Sequence, residues 1–587
     1  MKDKKAFTLV ELLAVIVILS VIALIATPLI LNIIEEARYG SFKDSVYGAL
    51  KASKIALANE NLEDYPNTKL TINFSTGSNV SKLGLNGSIP KAGYLVIDEE
   101  GRTELLISDN RYCAKKSFGD DDITIEKYDA ANCKTWYKED ILNGADPILK
   151  DNLIPVIISD DGTVKKADIL KQWYKYENKE WANAVILKDG KTVESDNTIK
   201  EENIKEYYVW IPKYAYKLWN VDSNNTENVG KPIEIVFGEK ATTTGTDNGD
   251  MYIHPAFTNF NTYGIWVGKF EISYDEESFT KKDTFLKKNP NYSVATDSSK
   301  LIVKPNTRSL TNKKVSDFYK LIKNSHQDLN SHMMTNMEWG AVAYLTYSKY
   351  GRCNEKTCTE VTINNINTGY YRSSAVFSGQ WEYGATITGC AADTVSAGVI
   401  SNVNECTNKY NTTKGYLAST TGKISGIYDM SGGNWEYVMG VLENASGKLY
   451  SGRNSKYNSG FKGLYGCPTC NSDTSGLTEN TTGLDFPNNK YYDSYISSDE
   501  IGTNVWYKYT SGKLGDATKE IANTKENSLS GDRGLWFNDL ASFPSLNATF
   551  FIRGSRYIGG MSSGVLTFGN CTGISNKYIS TRSVLAF

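Results

Sequence analysis

Nine cysteines and three histidines are the side chains of this chain best suited to bind a metal or attack a substrate, and their spacing limits what they can do. Eight of the cysteines fall into close pairs: Cys113/Cys133, Cys353/Cys358, Cys390/Cys406 and Cys467/Cys470. In an oxidising compartment such pairs read as loop-closing disulfides, with the connectivity left open by sequence. Cys467-Pro-Thr-Cys470 also has the spacing of a redox pair or half a zinc site. No second Cys-x-x-Cys accompanies it, and Gly, Asn and Ser flank it, so a local staple is the favoured reading. Cys571 is left over. His254, His326 and His332 are too scattered for a metal site. No Gly-x-Ser-x-Gly elbow, His-Glu-x-x-His pair or Walker loop occurs. The many paired acids read as solvated surface charge, and no hydrolase dyad stands out.

A different chemistry lies at the start. Lys4-Lys5-Ala6-Phe7-Thr8-Leu9-Val10-Glu11 leads into an almost unbroken apolar run ending at Ile34. A secretory signal is cut after its apolar region, at small residues. Leu12 to Ile34 offers no such site, and the natural cut lies before Phe7, so the apolar segment survives. Phe7 to Ile34 would span roughly 42 Å as a helix, enough to cross a bilayer with tilt. Lys2, Lys4 and Lys5 hold the leader in the cytoplasm. Glu11 in hydrocarbon costs about 2.5–3.5 kcal/mol on insertion scales, and pairing with a freed Phe7 ammonium offsets that cost. The segment resembles the processing signal of type IV pilins and type II secretion pseudopilins. That resemblance implies a prepilin peptidase that cuts between Ala6 and Phe7, methylates the new amine and leaves Glu11. Pro28 matches the helix-kinking proline of many pilins. Ala6 stands where Gly is usual.

Composition describes what the helix carries. With 587 residues, three or four domains are expected, and a net charge of −3 gives no argument for nucleic acid. Tyr (38), Trp (11) and Gly (48) suit a twisted, loop-rich β protein behind the helix, so the fold class is α+β. Phe42, Val46, Ala49 and Ile55 recur at helical spacing, with Lys43, Asp44, Lys51 and Lys54 between them, and extend the helix towards Asn59–Asn61. Strands follow at Tyr94–Ile97 and Thr103–Ile107. Cys113 and Cys133 resemble the disulfide-closed loop of many pilins, which implies a leader 1–6 and a pilin module 7–136, with 7–34 its membrane and filament helix. Residues 137–206 read as a small β spacer, with strands at Ile154–Ile158 and Trp181–Leu187. Its aromatic cluster Trp173, Tyr174, Tyr176 and Trp181 reads as core in preference to a sugar site.

Residues 207–587 carry five blocks in order. These are Tyr207–Tyr216, Gly264–Ser273, helical Asn336–Tyr344, Gly426–Tyr437 with Asp429-Met-Ser-Gly-Gly-Asn-Trp-Glu436, and Phe551–Tyr557, followed by Ser580–Val584 at the end. Met337, Ala341 and Val342 fall with Trp339 near one helix face. The blocks resemble the formylglycine-generating-enzyme-like (sulfatase-modifying factor) family, a variant of the C-type lectin fold. Arg553-Gly554-Ser555 resembles its Arg-Gly-Gly-Ser-Trp, one Gly short. The family's oxidase needs a cysteine pair just after that block, and Arg556 to Gly564 contains none, so no enzyme activity is expected. The resemblance then implies a displayed binding surface. Arg556, Tyr557, Ile558, Met561, Ser562, Asn570, Asn576 and Tyr578 are the candidate ligand contacts, because Tyr gives contact area and Ser, Gly and Asn give adaptable hydrogen bonds. The segment also resembles the diversified C-terminal segment of retroelement-varied lectin-fold proteins. Calcium is the candidate cofactor, held as in the related family near the signature turn, with Ser431, Asn434 and Glu436 as ligands.

The expected protein is a modular minor pilin presenting a non-catalytic adhesion domain. Its partners would be prepilin peptidase, other pilins, the cytoplasmic membrane and a host, phage or cell-surface protein or glycan. It would cross the cytoplasmic membrane once, N-terminus inside, and then move to the surface pilus. The alternatives are a displayed enzyme of the formylglycine-generating family and a secretion pseudopilin.

Overall fold

Helix α1 runs without interruption from Leu9 to Glu60. The computed structural model describes residues 9–60; 69–128 less 75–78, 86–88, 99–100, 110 and 117–120; 133, 145 and 147–217 less 151 and 169–172; 229–237; 251–276 less 261; 295–364; 386–392; 406–452 less 407; 459–466; 476–496; 513–520 less 519; 534–556 less 535; and 559–587 less 560 and 561. The chain divides into two units, residues 1–139 with 168–172, and residues 140–167 with 173–587.

In the first unit the second half of α1 lies on an antiparallel meander of five strands in chain order. These are β1 (Lys69–Asn73), β2 (Ala92–Asp98), β3 (Thr103–Ser108), β4 (Tyr112–Lys116) and β5 (Thr124–Lys127). Phe42, Val46, Ala49, Ala56 and Leu57 are buried against Leu70, Ile72, Leu95, Ile97, Leu105 and Ile107. The expected face is therefore right as far as Ala49 and then differs. Ile55 is 64% exposed while Ser53 is fully buried. The steps 42, 46, 49, 53 and 56 keep the helical period, so small Ser53 and Ala56 sit under the sheet and Ile55 turns outward. The first half of α1 is the reverse: Leu9, Val10, Leu13, Ile16, Ile18, Leu24 and Ile33 are all more than half exposed. Among the described residues no helix is long and apolar enough to cross a membrane. The sequence run Leu12–Ile34 includes positions whose side chains lie outside the described set.

The second unit is built on two sheets. Its larger sheet has eight strands, all antiparallel pairs. They are β6 (Ile154–Ile158), β7 (Val164–Lys166), β8 (Asn183–Leu187), β9 (Thr198–Ile199), β10 (Ile204–Pro212), β11 (Gly264–Gly268), β12 (His332–Met333) and a last strand, Ser583–Leu585. The order across the sheet is β12, Ser583–Leu585, β11, β10, β8, β6, β7, β9. Residues 137–206 thus do not stand apart as a spacer, because β8 pairs directly with β10 and buries the same core. Trp173, Tyr174, Tyr176 and Trp181 are all buried, as expected of a core cluster.

The run Tyr207–Tyr216 also differs from a single strand. It breaks at Pro212, and Tyr214–Lys217 joins a separate three-stranded sheet. The second main sheet centres on β13 (Trp435–Glu443). It is flanked by β14 (Asp493–Ile496, parallel) and β15 (Phe550–Arg553, antiparallel), with β16 (Phe568–Cys571) beyond β15. A short strand, β17 (Ile579–Thr581), pairs with β13, and one residue later β18 (Ser583–Leu585) enters the larger sheet. Arg582 is the residue at which the chain changes sheets.

Among the described residues two α-helices complete the frame, α2 (Val315–Lys323) and α3 (Asn336–Thr346). A capping box starts α3, with Thr335 Oγ1 accepting from Glu338 N–H and the Glu338 carboxylate accepting from Thr335 N–H. The helix is buried on every side, so the expected single apolar face is not realised. Gly340 explains part of this: a Cβ there would lie 1.9 Å from Gly515 O, so the 513–520 loop packs directly on helix backbone.

Three of the four cysteine pairs are bonded: Cys113–Cys133, Cys353–Cys358 and Cys390–Cys406. Cys467 and Cys470 lie outside the described residues. Cys571 is unbonded, with the Tyr437 hydroxyl 3.1 Å from its sulfur.

Candidate functional site

The signature segment 426–437 is a tight turn feeding β13. Asp429, Gly432 and Gly433 all have positive φ, at 65°, 74° and 70°. At Gly433 a Cβ would meet Glu271 Oε1 at 2.6 Å, so glycine is required where the turn closes on that carboxylate. Glu271 accepts from Asn434 N–H at 2.9 Å and from Asn434 Nδ2 at 3.1 Å. Asp429 Oδ1 accepts from Asn364 Nδ2 at 2.7 Å and from Gly389 N–H at 2.8 Å.

Arg582 gathers the rest. Its Nη2 donates to Glu436 Oε1 at 2.6 Å and to Tyr428 O at 2.9 Å, its Nε to Glu436 Oε2 at 3.2 Å, and its Nη1 to Gly268 O at 2.8 Å. The arrangement is a two-pronged guanidinium–carboxylate pair with no exposure on either side chain to speak of, 0% and 1%. It joins β13 to β11 of the larger sheet through Gly268 O. Burial pushes Glu436 up to about 7, with Arg582 opposing. Burial, then the charges of Glu436 and Asp429, push Glu271 well above the usual carboxylate range.

Lys269 sits nearby, fully buried, and donates to Asn183 Oδ1, Ile424 O and Gly426 O at 2.8, 2.6 and 2.8 Å. Burial alone pushes its pKa down. Three acceptors around one nitrogen nevertheless suit a three-donor ammonium better than a neutral amine.

This network bears on the calcium expectation. Glu436 gives both oxygens to Arg582, Asn434 turns its amide to Glu271 and Thr386, and Ser431 Oγ donates to Val361 O. The three side chains thus face Arg582, Glu271 with Thr386, and Val361, and not one common point, which is a poor fit to an oxygen cage around calcium. Among the described residues, Cys113, Cys133 and Glu126 are the single group of three whose ligand atoms converge, and its sulfurs are joined in a disulfide. The histidines are dispersed. His254 bonds Gly515 O, His326 pairs with Glu206, and His332 pairs with Glu338.

Above the network lies the segment expected to meet ligand. Arg556 rests on the Tyr578 ring with its guanidinium carbon 4.9 Å from the centroid, and Lys577 Nζ is 5.4 Å from the same centroid. Trp435, half-buried, donates its backbone N–H to Tyr578 O, which places the head of β13 beside this ledge. Ser562 is half-buried, its carbonyl accepting from Leu540 N–H and Thr567 Oγ1. Asn570 and Asn576 each carry a bond within the fold. Asn570 Nδ2 is spent on Ser542 Oγ and Phe543 O, and Asn576 Oδ1 accepts Tyr578 N–H to shape the turn. Tyr557, Ile558 and Met561 lie outside the described residues, as do Ala6 and Phe7, and the side chains of Glu11 and Pro28 are likewise undescribed. Arg553, from the block resembling Arg-Gly-Gly-Ser-Trp, is fully buried between the Trp339 and Phe568 rings at 5.7 and 5.6 Å and displays nothing. Sequence reasoning assigned no role to Glu271, Lys269, Trp435 or Arg582. For Lys269 and Glu271 the available signal was a charge set among apolar residues directly after β11, as in Gly268-Lys269-Phe270-Glu271-Ile272.

Residues 1–27 match the family model described as the prokaryotic N-terminal methylation motif. This motif, as found in type IV pilins and pseudopilins, implies processing by a prepilin peptidase, membrane insertion and assembly with other pilins. No curated protein matches the chain. Among solved structures it is similar to the "Major Tropism Determinant I1 Variant" at 11% identity, covering 86% of this chain and 96% of that one, with a TM-score of 0.24. So low a score supports no inference about fold or ligand.

Proposed function

We propose that this chain is a minor type IV pilin whose second unit is a non-catalytic, C-type-lectin-like adhesion module presented on a surface filament. The carrying observation is the joining of a methylation motif at residues 1–27 to a second unit of more than 400 residues. A filament repeats its subunits closely, and a head of this bulk suits sparse incorporation. Arg556, Lys577, Tyr578 and Trp435 form the ligand-facing ledge. Its aromatic surface and cations suit a polar partner, protein or glycan, at low entropic cost. The buried network beneath contributes rigidity, and no step of catalysis is assigned to it.

The test uses residues 140–587, because a fragment beginning at 207 would lack β6 to β9. Saturable binding on glycan and protein arrays, lost on Arg556→Ala with Tyr578→Ala, is the expected result. Formylglycine formation on a sulfatase-type peptide with added copper would replace the adhesin by an enzyme. A gene neighbourhood of secretin and secretion ATPase would favour a pseudopilin over a pilus.

A further inference from the structure

In the first unit, a cleft of about 320 Å³ opens between α1 and the ends of β2 and β4. Three cations line it: Arg38 on α1, Lys91 just before β2 and Arg111 just before β4. All three are exposed, and none has an ion-pair partner among the described residues. The lining holds one carboxylate, Asp109, whose Oδ1 accepts from Arg111 N–H and Tyr112 N–H, so three cations face a single anion. Glu35, one turn back on α1, is paired with Lys127 at 3.0 Å. The hydroxyl of Ser41 adds a donor, while that of Ser45 already donates to Phe42 O at 2.8 Å, and the floor is apolar, with Phe42 and Pro90 buried and Ile89 44% exposed.

Position gives the cleft its meaning. Arg38 follows Ile34 by four residues, roughly 6 Å along the helix axis, which is the depth of a headgroup layer. Unpaired Lys and Arg beside the outer end of a membrane helix run against the positive-inside bias, so they call for a partner there. We propose that this cleft holds the phosphate headgroup of an anionic phospholipid, with the cations on the phosphate and Ile89 against the glycerol. The inference rests on reading Leu12–Ile34 as a membrane anchor. Bound lipid would hold the first unit down on the bilayer surface until the subunit leaves it.

The test is a native mass-spectrometry titration of the full chain in neutral detergent with phosphatidylglycerol, phosphatidylcholine or inorganic phosphate. One retained phosphatidylglycerol is expected, with little phosphatidylcholine. The triple variant R38Q/K91Q/R111Q should bind phosphatidylglycerol about tenfold or more weakly. The control K43Q/K51Q, outside the cleft, should bind as wild type. Because the three residues are exposed, the triple variant should melt as wild type and form the Cys113–Cys133 disulfide. Equal retention of both lipids, undiminished binding by the triple variant, or displacement by equimolar inorganic phosphate would each overturn the proposal. Alkaline extraction of membranes separates the two readings. A chain that extracts as soluble refutes the anchor, whereas one that stays inserted yet shows no phosphatidylglycerol preference refutes the cleft alone.

Discussion

Arg582 makes four hydrogen bonds to three partners on different elements, and each would be left unpaired and buried if it were shortened. Breaking one side of a buried ion pair costs roughly 3–5 kcal/mol, more than most substitutions cost anywhere. Arg582→Ala is therefore expected to lower the denaturant midpoint of the second unit severely. Arg582→Lys should recover little, because an ammonium cannot grip both Glu436 oxygens in one plane. A near-wild-type midpoint for either variant would refute this role.

Protons act on the same residues. Burial raises Asp493 and Glu520 to about 7, as it does Glu436. Acids with raised folded pKa bind more protons folded than unfolded, so stability is highest below the unfolded value and falls as pH rises through about 7. Melting temperature should thus decline from pH 5 to pH 8, and Asp493→Asn should flatten that slope. A melting temperature that climbs over this range would contradict the burial argument.

At the scale of elements, α1 offers the cleanest test of which face packs. Val46→Asp would bury a charge beneath the meander and should cost roughly 3 kcal/mol or more. Ile55→Asp should be nearly silent in a thermal melt of the first unit. The same pair shows what the sequence could express. A helical period is a local pattern, so Phe42, Val46 and Ala49 were legible. Ser53 and Ala56 were not, because small residues under a sheet carry no hydrophobic signal. The Tyr207–Tyr216 run looks continuous because aromatic and apolar residues persist on both sides of Pro212, although the two halves belong to different sheets. The site was harder to read. Arg582 meets Glu436 across 146 positions, and only the folded chain brings them together. Asn570 and Asn576 have the chemistry of a ligand contact, and the fold engages half of each amide: Asn570 Nδ2 bonds Ser542 Oγ and Phe543 O, and Asn576 Oδ1 accepts Tyr578 N–H.

For the whole molecule, the motif at residues 1–27 leads to a processed N-terminus. Intact-mass analysis of surface-sheared protein should find a chain beginning at methylated Phe7, and a start at Met1 or beyond residue 35 would remove the filament reading. Quantitative mass spectrometry of purified filaments should find it far below the most abundant pilin, and parity would exclude a minor role. One feature of the second unit bears on how it is made. Strand β18 lies between β11 and β12, pairing Val584 with Val267 on one side and with His332 on the other. A chain emerging from its N-terminus would have β11 and β12 in hand long before the strand that must fill that slot. Until residue 585 is in place, the two flanking strands stay open to wrong pairing and to chaperone or protease, so the larger sheet closes only when this late strand arrives.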